Sequence, residues 1–221
     1  MRSLQTLKGE KKLKHGILIA IEGIDGAGKT TQAARLFDEL KRKGYPVSLF
    51  HEPTASQWGQ KIAELVRNGR RNTSPMMEFE LFYNDRIEDV KTNIKPALKN
   101  KQIVIMDRYY FSNVAYQGAN GLDPKFIENE NERIAPRPEL VVILDISPKI
   151  ALSRIKNKRN SAPNHFERER YLGKVRQVFL DIFSKRSHVK IVDGDDTHSP
   201  EQILSGILEV VEPMLRKEEA K

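Results

Sequence analysis

Short apolar runs, rich in β-branched residues, punctuate the chain at Ile17–Ile21, Val47–Phe50, Ile103–Met106, Leu140–Leu144 and Val189–Val192. Runs this short, bounded by polar residues, read as buried strands rather than helices. Between them the apolar positions return at helical spacing. Ala33, Leu36, Phe37 and Leu40 predict a helix from about Thr31 to Lys43, closed by Gly44 and barred from continuing by Pro46. Ile62, Leu65 and Val66 predict a second, stopped at Asn68-Gly69, and Ser74-Pro75 signals a third from Met76 to about Asn93. Val114 and Ala115 belong to a fourth that leads to Tyr116-Gln117-Gly118 and a turn at Asn120-Gly121. Pro148 opens another, 166–184 reads as helical, and the last runs from Pro200 to about Arg216. Strand and helix alternate five times, the pattern of a five-stranded parallel sheet covered by helices on both faces. The expectation is a three-layer α/β/α fold of one domain, residues 16–221.

Where the first run ends, the chain reads Glu22-Gly23-Ile24-Asp25-Gly26-Ala27-Gly28-Lys29-Thr30-Thr31. Gly23, Gly28, Lys29 and Thr30 complete G-x-x-x-x-G-K-[ST], the phosphate-cradling P-loop, in its proper context between a strand and a helix. Its glycines let backbone N–H groups converge on phosphate oxygens, and the following helix aims its positive dipole end at the same anion. The segment from Gly23 to Thr31 is therefore expected to hold ATP, with Lys29 at the β/γ-phosphates and the Thr30 hydroxyl on Mg²⁺. The fold expected is that of a P-loop NTPase. Ligands of such sheets sit at the carboxyl ends of the strands. Glu52, Asp107 and Asp145 all fall there.

Composition changes this picture little, and charge changes it in one place. With 221 residues and 38% hydrophobic, the chain can bury a sizeable core. No apolar run approaches the roughly 20 residues of a membrane span. The absence of cysteine excludes disulfides and thiolate metal sites, and fits a cytoplasmic enzyme. The net charge of +8 would suit a nucleic-acid binder if it were spread over a surface, but it is concentrated in two segments of net +4 each. Residues 1–15 read as a disordered basic tail. Arg154 to Arg170 reads as something with work to do, so no nucleic-acid partner is expected.

The third strand narrows the reaction. Asp107 can hold Mg²⁺, but Arg108 beside it cannot serve as a base that prepares water. An arginine there suits a second anion, which implies that the nucleophile is itself a phosphate oxygen. Asn157-Lys158-Arg159-Asn160 lacks the final Asp of a guanine-recognition motif.

These features together resemble the thymidylate kinases. The resemblance runs from about Gly16 to Leu215 and rests on Asp107-Arg108-Tyr109 with Ser112, on Ala115-Tyr116-Gln117-Gly118, on Phe82 with Arg86, on Glu52-Pro53, and on Phe166-Glu167 leading into a helix. It implies transfer of the γ-phosphate of ATP to dTMP, with Mg²⁺ held by Thr30, Asp107 and Glu52, in a homodimer. Lys29, Asp107, Arg108 and Arg159 would be catalytic. Phe82 would stack on thymine and Arg86 would donate to its O4, where cytosine carries an amino group and is refused. Gln117 would serve the base edge, Asn113 would also meet dTMP, and Tyr116 would lie where a ribose 2′-hydroxyl would go. Glu52 would approach the sugar or the Mg²⁺ water, Asp25 would be among the residues that meet dTMP, and Arg108 would hold the dTMP phosphate.

The basic stretch at about 154–167 would be a lid over ATP. Family members carry a transition-state arginine either after the P-loop acid or in the lid. Gly26 follows Asp25 here, so the lid must supply it, with Arg159 first and Arg154 second. One departure stands out. The family's Arg-Glu-Pro followed by Gly-Gly-Thr is here His51-Glu52-Pro53-Thr54-Ala55-Ser56, so one phosphate-binding arginine has no counterpart. Trp58 after Glu52-Pro53 resembles the deoxynucleoside kinases, in which a glutamate deprotonates a sugar hydroxyl. That activity, or a monophosphate kinase of broader specificity, is the alternative; a non-catalytic P-loop binding module is a remote one.

Overall fold

The computed structural model describes residues 11–69, 73–158 and 165–220. Five strands, β1 (Ile17–Glu22), β2 (Val47–His51), β3 (Ile103–Asp107), β4 (Leu140–Asp145) and β5 (Val189–Asp193), form one sheet. All pairs are parallel and the order is β2-β3-β1-β4-β5. Burial follows position in that order. β1 and β3, in the middle, are buried at every residue, whereas the edge strands β2 and β5 are half open. The continuous apolar runs of the central strands are what a sheet covered on both faces requires.

Two helical layers provide that cover. α1 (Lys29–Arg42) packs with α9 (Pro200–Glu218) over β1, β2, β3 and β5. The other layer is built around α5 (Tyr110–Ala119), against α3 (Pro75–Asp89), α6 (Pro124–Ile134) and α8 (His165–Phe183). α2 (Gln57–Arg67) lies on α3, and α7 (Pro148–Lys158) on α8. Among the described residues, no helix is long and apolar enough to cross a membrane.

The structure departs from the expected elements in three places. The helix expected to stop near Asn93 continues through a π-helical turn, Val90–Ile94, into α4 (Lys95–Lys99). Pro96 has no N–H, and its ring crowds the carbonyl four residues back, so the wider turn lets the helix pass it. α6 was not foreseen because few of its residues are apolar. Its signal was Asp123-Pro124, where the Asp123 carboxylate accepts from the Lys125 N–H at 3.0 Å and Pro124 opens the first turn.

The third departure is the basic tail. Its first ten residues lie outside the described ones, but Lys11–His15 belong to the fold. Leu13 is buried and bridges Glu219 in antiparallel fashion. Lys11 donates to the Tyr45 hydroxyl at 2.9 Å and to Glu219 at 2.6 Å. One apolar side chain with a core to enter, and an acidic partner for the lysine, outweigh the polarity of this stretch.

Candidate active site

The P-loop connects β1 to α1, and two of its glycines have distinct reasons to be there. Gly28 is the N-cap of α1 at φ 91°, and a Cβ on it would meet nothing within 4 Å. No side chain caps α1, whereas Ser56, Ser74, Asp123 and Ser199 cap α2, α3, α6 and α9. The first-turn N–H groups of α1 are thus left for a ligand in open space. Gly26, at φ 86°, is different: a Cβ there would lie 2.5 Å from the Ala151 carbonyl oxygen. No arginine fits at this place unless α7 moves.

Lys29 is buried and folds back to donate to the Ile24 carbonyl at 2.7 Å. Burial, then the Arg108 charge, push its ammonium down to about 7 against the pull of Asp25, Glu22 and Asp107. An arriving polyphosphate would reverse that shift. Strands β1 and β3 pair with Ile21 beside Asp107, which sets the Asp107 carboxylate against the start of α1. The Thr30 hydroxyl donates to Asp107 Oδ2 at 2.6 Å, and Asp107 Oδ1 is buried with no hydrogen-bond partner.

Arg108 follows at φ 71°, a left-handed conformation for a residue with a side chain. Its guanidinium donates to Ser112 Oγ at 3.3 Å and to the Asp25 carboxylate, and lies 5.7 Å from the Tyr116 ring centre. Burial opposes the Asp25 charge, but Arg108, Lys29 and Tyr116 together hold its carboxyl down at about 2. The Tyr116 hydroxyl accepts from the Asp25 N–H at 2.8 Å, joining α5 to the P-loop.

A second cluster lies deeper, between α3, α5 and α6. Arg86, 1% exposed, donates through Nε to both Glu52 oxygens at 3.1 and 3.0 Å, and through Nη2 to Glu52 again. Nη1 donates to Asn113 Oδ1 at 3.0 Å and to Asn131 Oδ1. A guanidinium has five N–H groups. Four are engaged here, and one on Nη2 remains. Burial raises the pKa of the Glu52 carboxyl and the Arg86 cation opposes it; with both oxygens accepting from the guanidinium, the geometry describes the ionised pair. Asn113 passes the chain on, its Nδ2 donating to Gln117 Oε1 at 2.6 Å. Asp85 holds the loop before α2 by accepting from the Thr54 N–H at 2.8 Å and from the Thr54 and Ser56 hydroxyls.

Between the two clusters is a cavity of about 170 Å³. Asp25, Glu52, Phe82, Arg86, Arg108, Asn113, Tyr116 and Gln117, the residues expected to meet dTMP, all line it, with Ile62 and Val66 adding an apolar wall from α2. Other expectations meet a different arrangement. Glu52 gives its carboxylate to Arg86, not to the Thr30–Asp107 pair, because a buried guanidinium needs an anion. Arg154 is engaged by Asp196 at 2.8 Å and by the Gly194 carbonyl at 2.8 Å. Asp145 forms a paired contact with Arg176 at 2.6 and 2.7 Å. Arg159 lies outside the described residues. His51 is exposed and does not line the cavity.

Sequence reasoning missed Glu22 and Asn131. Glu22 is fully buried at the end of β1 and accepts from the Tyr109 N–H at 2.7 Å and the Ser112 N–H at 3.2 Å. A charge closing a wholly apolar buried strand was its signal. Asn131 lies on the unforeseen α6, and nothing in its neighbourhood marked it.

The thymidylate kinase family model matches residues 21–206. A probable thymidylate kinase of Archaeoglobus fulgidus is 44% identical over 199 residues, 90% of this chain and 96% of that one. A thymidylate kinase of Xanthomonas oryzae is 46% identical over 180 residues, 81% of this chain and 78% of its own length. The crystal structure of thymidylate kinase from Ehrlichia chaffeensis superposes with a TM-score of 0.70 at 28% identity, covering 90% of this chain and 99% of that one. On its sequence, its P-loop sheet and the cavity beside it, the chain belongs to the thymidylate kinase family.

Proposed function

We propose that the protein phosphorylates dTMP at the expense of ATP, giving dTDP and ADP. An oxygen of the dTMP phosphate attacks the γ-phosphorus, and the bond from that phosphorus to the β,γ-bridging oxygen breaks. The observation that carries the reading is the position of Arg108, which pairs with the P-loop carboxylate Asp25 and also lines the cavity that Phe82, Arg86 and Gln117 share. There it would hold the acceptor phosphate in line with the γ-phosphate, while Lys29 and the open amides of α1 take the donor. Phe82 would stack on thymine, the remaining Arg86 N–H would donate to O4, and Gln117 would offer its NH₂ to the base edge, its carbonyl being taken by Asn113. Tyr116, turned to the P-loop, would close the space beside the sugar.

The residues present fit Mg²⁺. Asp107 Oδ1 is buried without a partner, and Thr30 bonds the other oxygen. Mg²⁺ commonly takes one or two protein ligands, the rest coming from substrate phosphates and water. Thr30 and Asp107 would hold it, without Glu52. Bound there, Mg²⁺ would offset charge on the donor phosphates.

With Gly26 closed to any side chain, the arginine facing the transferring group would come from the lid, Arg159 first. A homodimer would use the α2–α3 side, where Val66, Met77 and Ile87 are exposed; light scattering of the purified chain tests it. The test of the reaction is ADP production from ATP and Mg²⁺ with dTMP, dUMP, dCMP and thymidine. The expected order is dTMP, then dUMP, weaker by about 10–200-fold for one methyl group, with little from dCMP or thymidine. Faster turnover of thymidine than of dTMP would replace this reading with a nucleoside kinase.

A further inference from the structure

We propose that Glu22 is a positioning residue for Arg108, acting through Ser112, and that it thereby sets the affinity for the acceptor's phosphate. The proposal rests on the reading that Arg108 holds that phosphate. Glu22 lines no part of the cavity. It touches the segment that carries Arg108 at three points: the Tyr109 N–H at 2.7 Å, the Ser112 N–H at 3.2 Å and the Ser112 hydroxyl at 2.6 Å.

Two of these bonds cap a helix from a distance. Tyr109 is the N-cap of α5 and offers no side-chain bond, so Glu22 takes that place, sharing the Ser112 amide of the first turn with the Tyr109 carbonyl, which accepts at 3.1 Å. They also pin the backbone around Arg108. The Arg108 N–H continues the sheet by donating to the Ile21 carbonyl at 3.1 Å, and the very next N–H turns back to Glu22. Held at both ends, Arg108 takes a left-handed conformation that an arginine adopts only when its surroundings impose it.

The third bond orients the guanidinium. A hydroxyl has one proton, and Ser112 gives its proton to Glu22. Its oxygen is then left to accept, and it accepts from Arg108 Nη1 at 3.3 Å. Asp25 takes Nη2 on the other side. Glu22 and Asp25 thus fix the fork from two directions, one through a serine and one directly, with Tyr116 beside it, and the guanidinium so held lines the cavity where a phosphate would meet it. Were Glu22 to carry an N–H, the Ser112 proton would turn outward and meet the Arg108 N–H donor to donor.

Glu22→Gln makes that change while preserving size and an oxygen for the two backbone amides. The experiment is calorimetric binding of dTMP and of thymidine to the full chain and to Glu22→Gln, Ser112→Ala and the double variant. Each single variant is expected to raise the ratio of dTMP Kd to thymidine Kd about tenfold, the effect of one hydrogen bond to a charged group, and the double variant no further. Equal weakening of dTMP and thymidine would reduce Glu22 to a helix cap and overturn the proposal, as would an unchanged ratio or additive effects. Ser112 itself lines the cavity, so Ser112→Ala alone does not decide the role of Glu22; if Glu22→Gln does not fold, Glu22→Asp, which keeps the charge and shortens its reach to Ser112, takes its place with the same expected and overturning ratios. Wild-type protein that binds and turns over dTMP while the variants keep its ratio refutes the relay only. Wild-type protein that binds no dTMP refutes the functional reading, and the relay with it.

Discussion

Replacing Glu52 by Gln tests the buried pair beneath the cavity. Glu52 and Arg86 keep 3% and 1% of their side-chain surface, so neither charge has water to fall back on. The variant leaves the guanidinium facing a neutral amide, which keeps one oxygen to accept its N–H groups and turns an NH₂ against the Nε–H. An arginine cannot discharge itself by losing a proton. Removing one partner of such a pair costs about 3–5 kcal/mol. The lower end applies here, because Asp89 stands within the field of Arg86 and has a buried oxygen without a hydrogen bond. For a domain of this size about 3 kcal/mol lowers Tm by roughly 6–12 °C.

Replacing both partners by apolar residues, Glu52→Leu with Arg86→Met, leaves no stranded charge, although Asn113 and Asn131 lose a donor. Exchanges of whole pairs are often neutral or stabilising. The double variant is therefore expected to melt above Glu52→Gln while binding dTMP no better. Thermal unfolding by circular dichroism at pH 7, without nucleotide, measures both. If Glu52→Gln melts within about 2 °C of wild type, or the double variant melts below it, the two groups are not the mutually dependent buried charges described above.

Asp107→Asn is expected to cut kcat at least about a hundredfold and to raise the Mg²⁺ needed for half-maximal rate; an unchanged Mg²⁺ titration would remove Asp107 from the metal site. Arg159→Ala is expected to cut kcat by at least roughly a hundredfold with little change in the dTMP KM, and Arg159→Lys to recover only part. Loss in Arg154→Ala instead would move the role to that residue. Burial, then Arg186 and Arg137, hold His188 below its ordinary 6.5. The unfolded chain therefore takes up its proton first, and stability falls as pH drops below about 6.5. His188→Gln should flatten that part of the Tm–pH curve, and an unchanged slope would assign it to another group.

What could be read from the chain before its structure divides along a physical line. The central strands were legible because a parallel sheet, buried on both faces, demands unbroken apolar runs. The P-loop was legible because its ligands are successive backbone amides, so the motif and the site are the same short stretch. Arg108 stood out because a cation directly after a strand-end carboxylate suits a second anion, whereas Phe82 and Arg86 stood out only through the resemblance to the thymidylate kinases. The groups that hold those side chains did not stand out. Glu22 reaches partners 87 and 90 residues away, and Asn131 meets Arg86 across 45. No spacing within a window could show either. α6 was missed because its purpose is partly to carry Asn131 to that guanidinium, not to bury an apolar stripe. Gly26 shows the reverse case. Its sequence showed only that no arginine stands there, and the 2.5 Å approach of the Ala151 carbonyl supplies the reason. Glu22 was nevertheless detectable in principle, from energetics rather than from a motif. A carboxylate ending a strand with no exposed residue must have partners, since burying it alone is prohibitive. Donors for it had to come from a neighbouring strand's carboxyl end, and β3 delivers Tyr109 and Ser112 there. Each buried charge in an apolar run is thus a statement that some distant segment is being held, and in this protein the segment held is the one that carries Arg108.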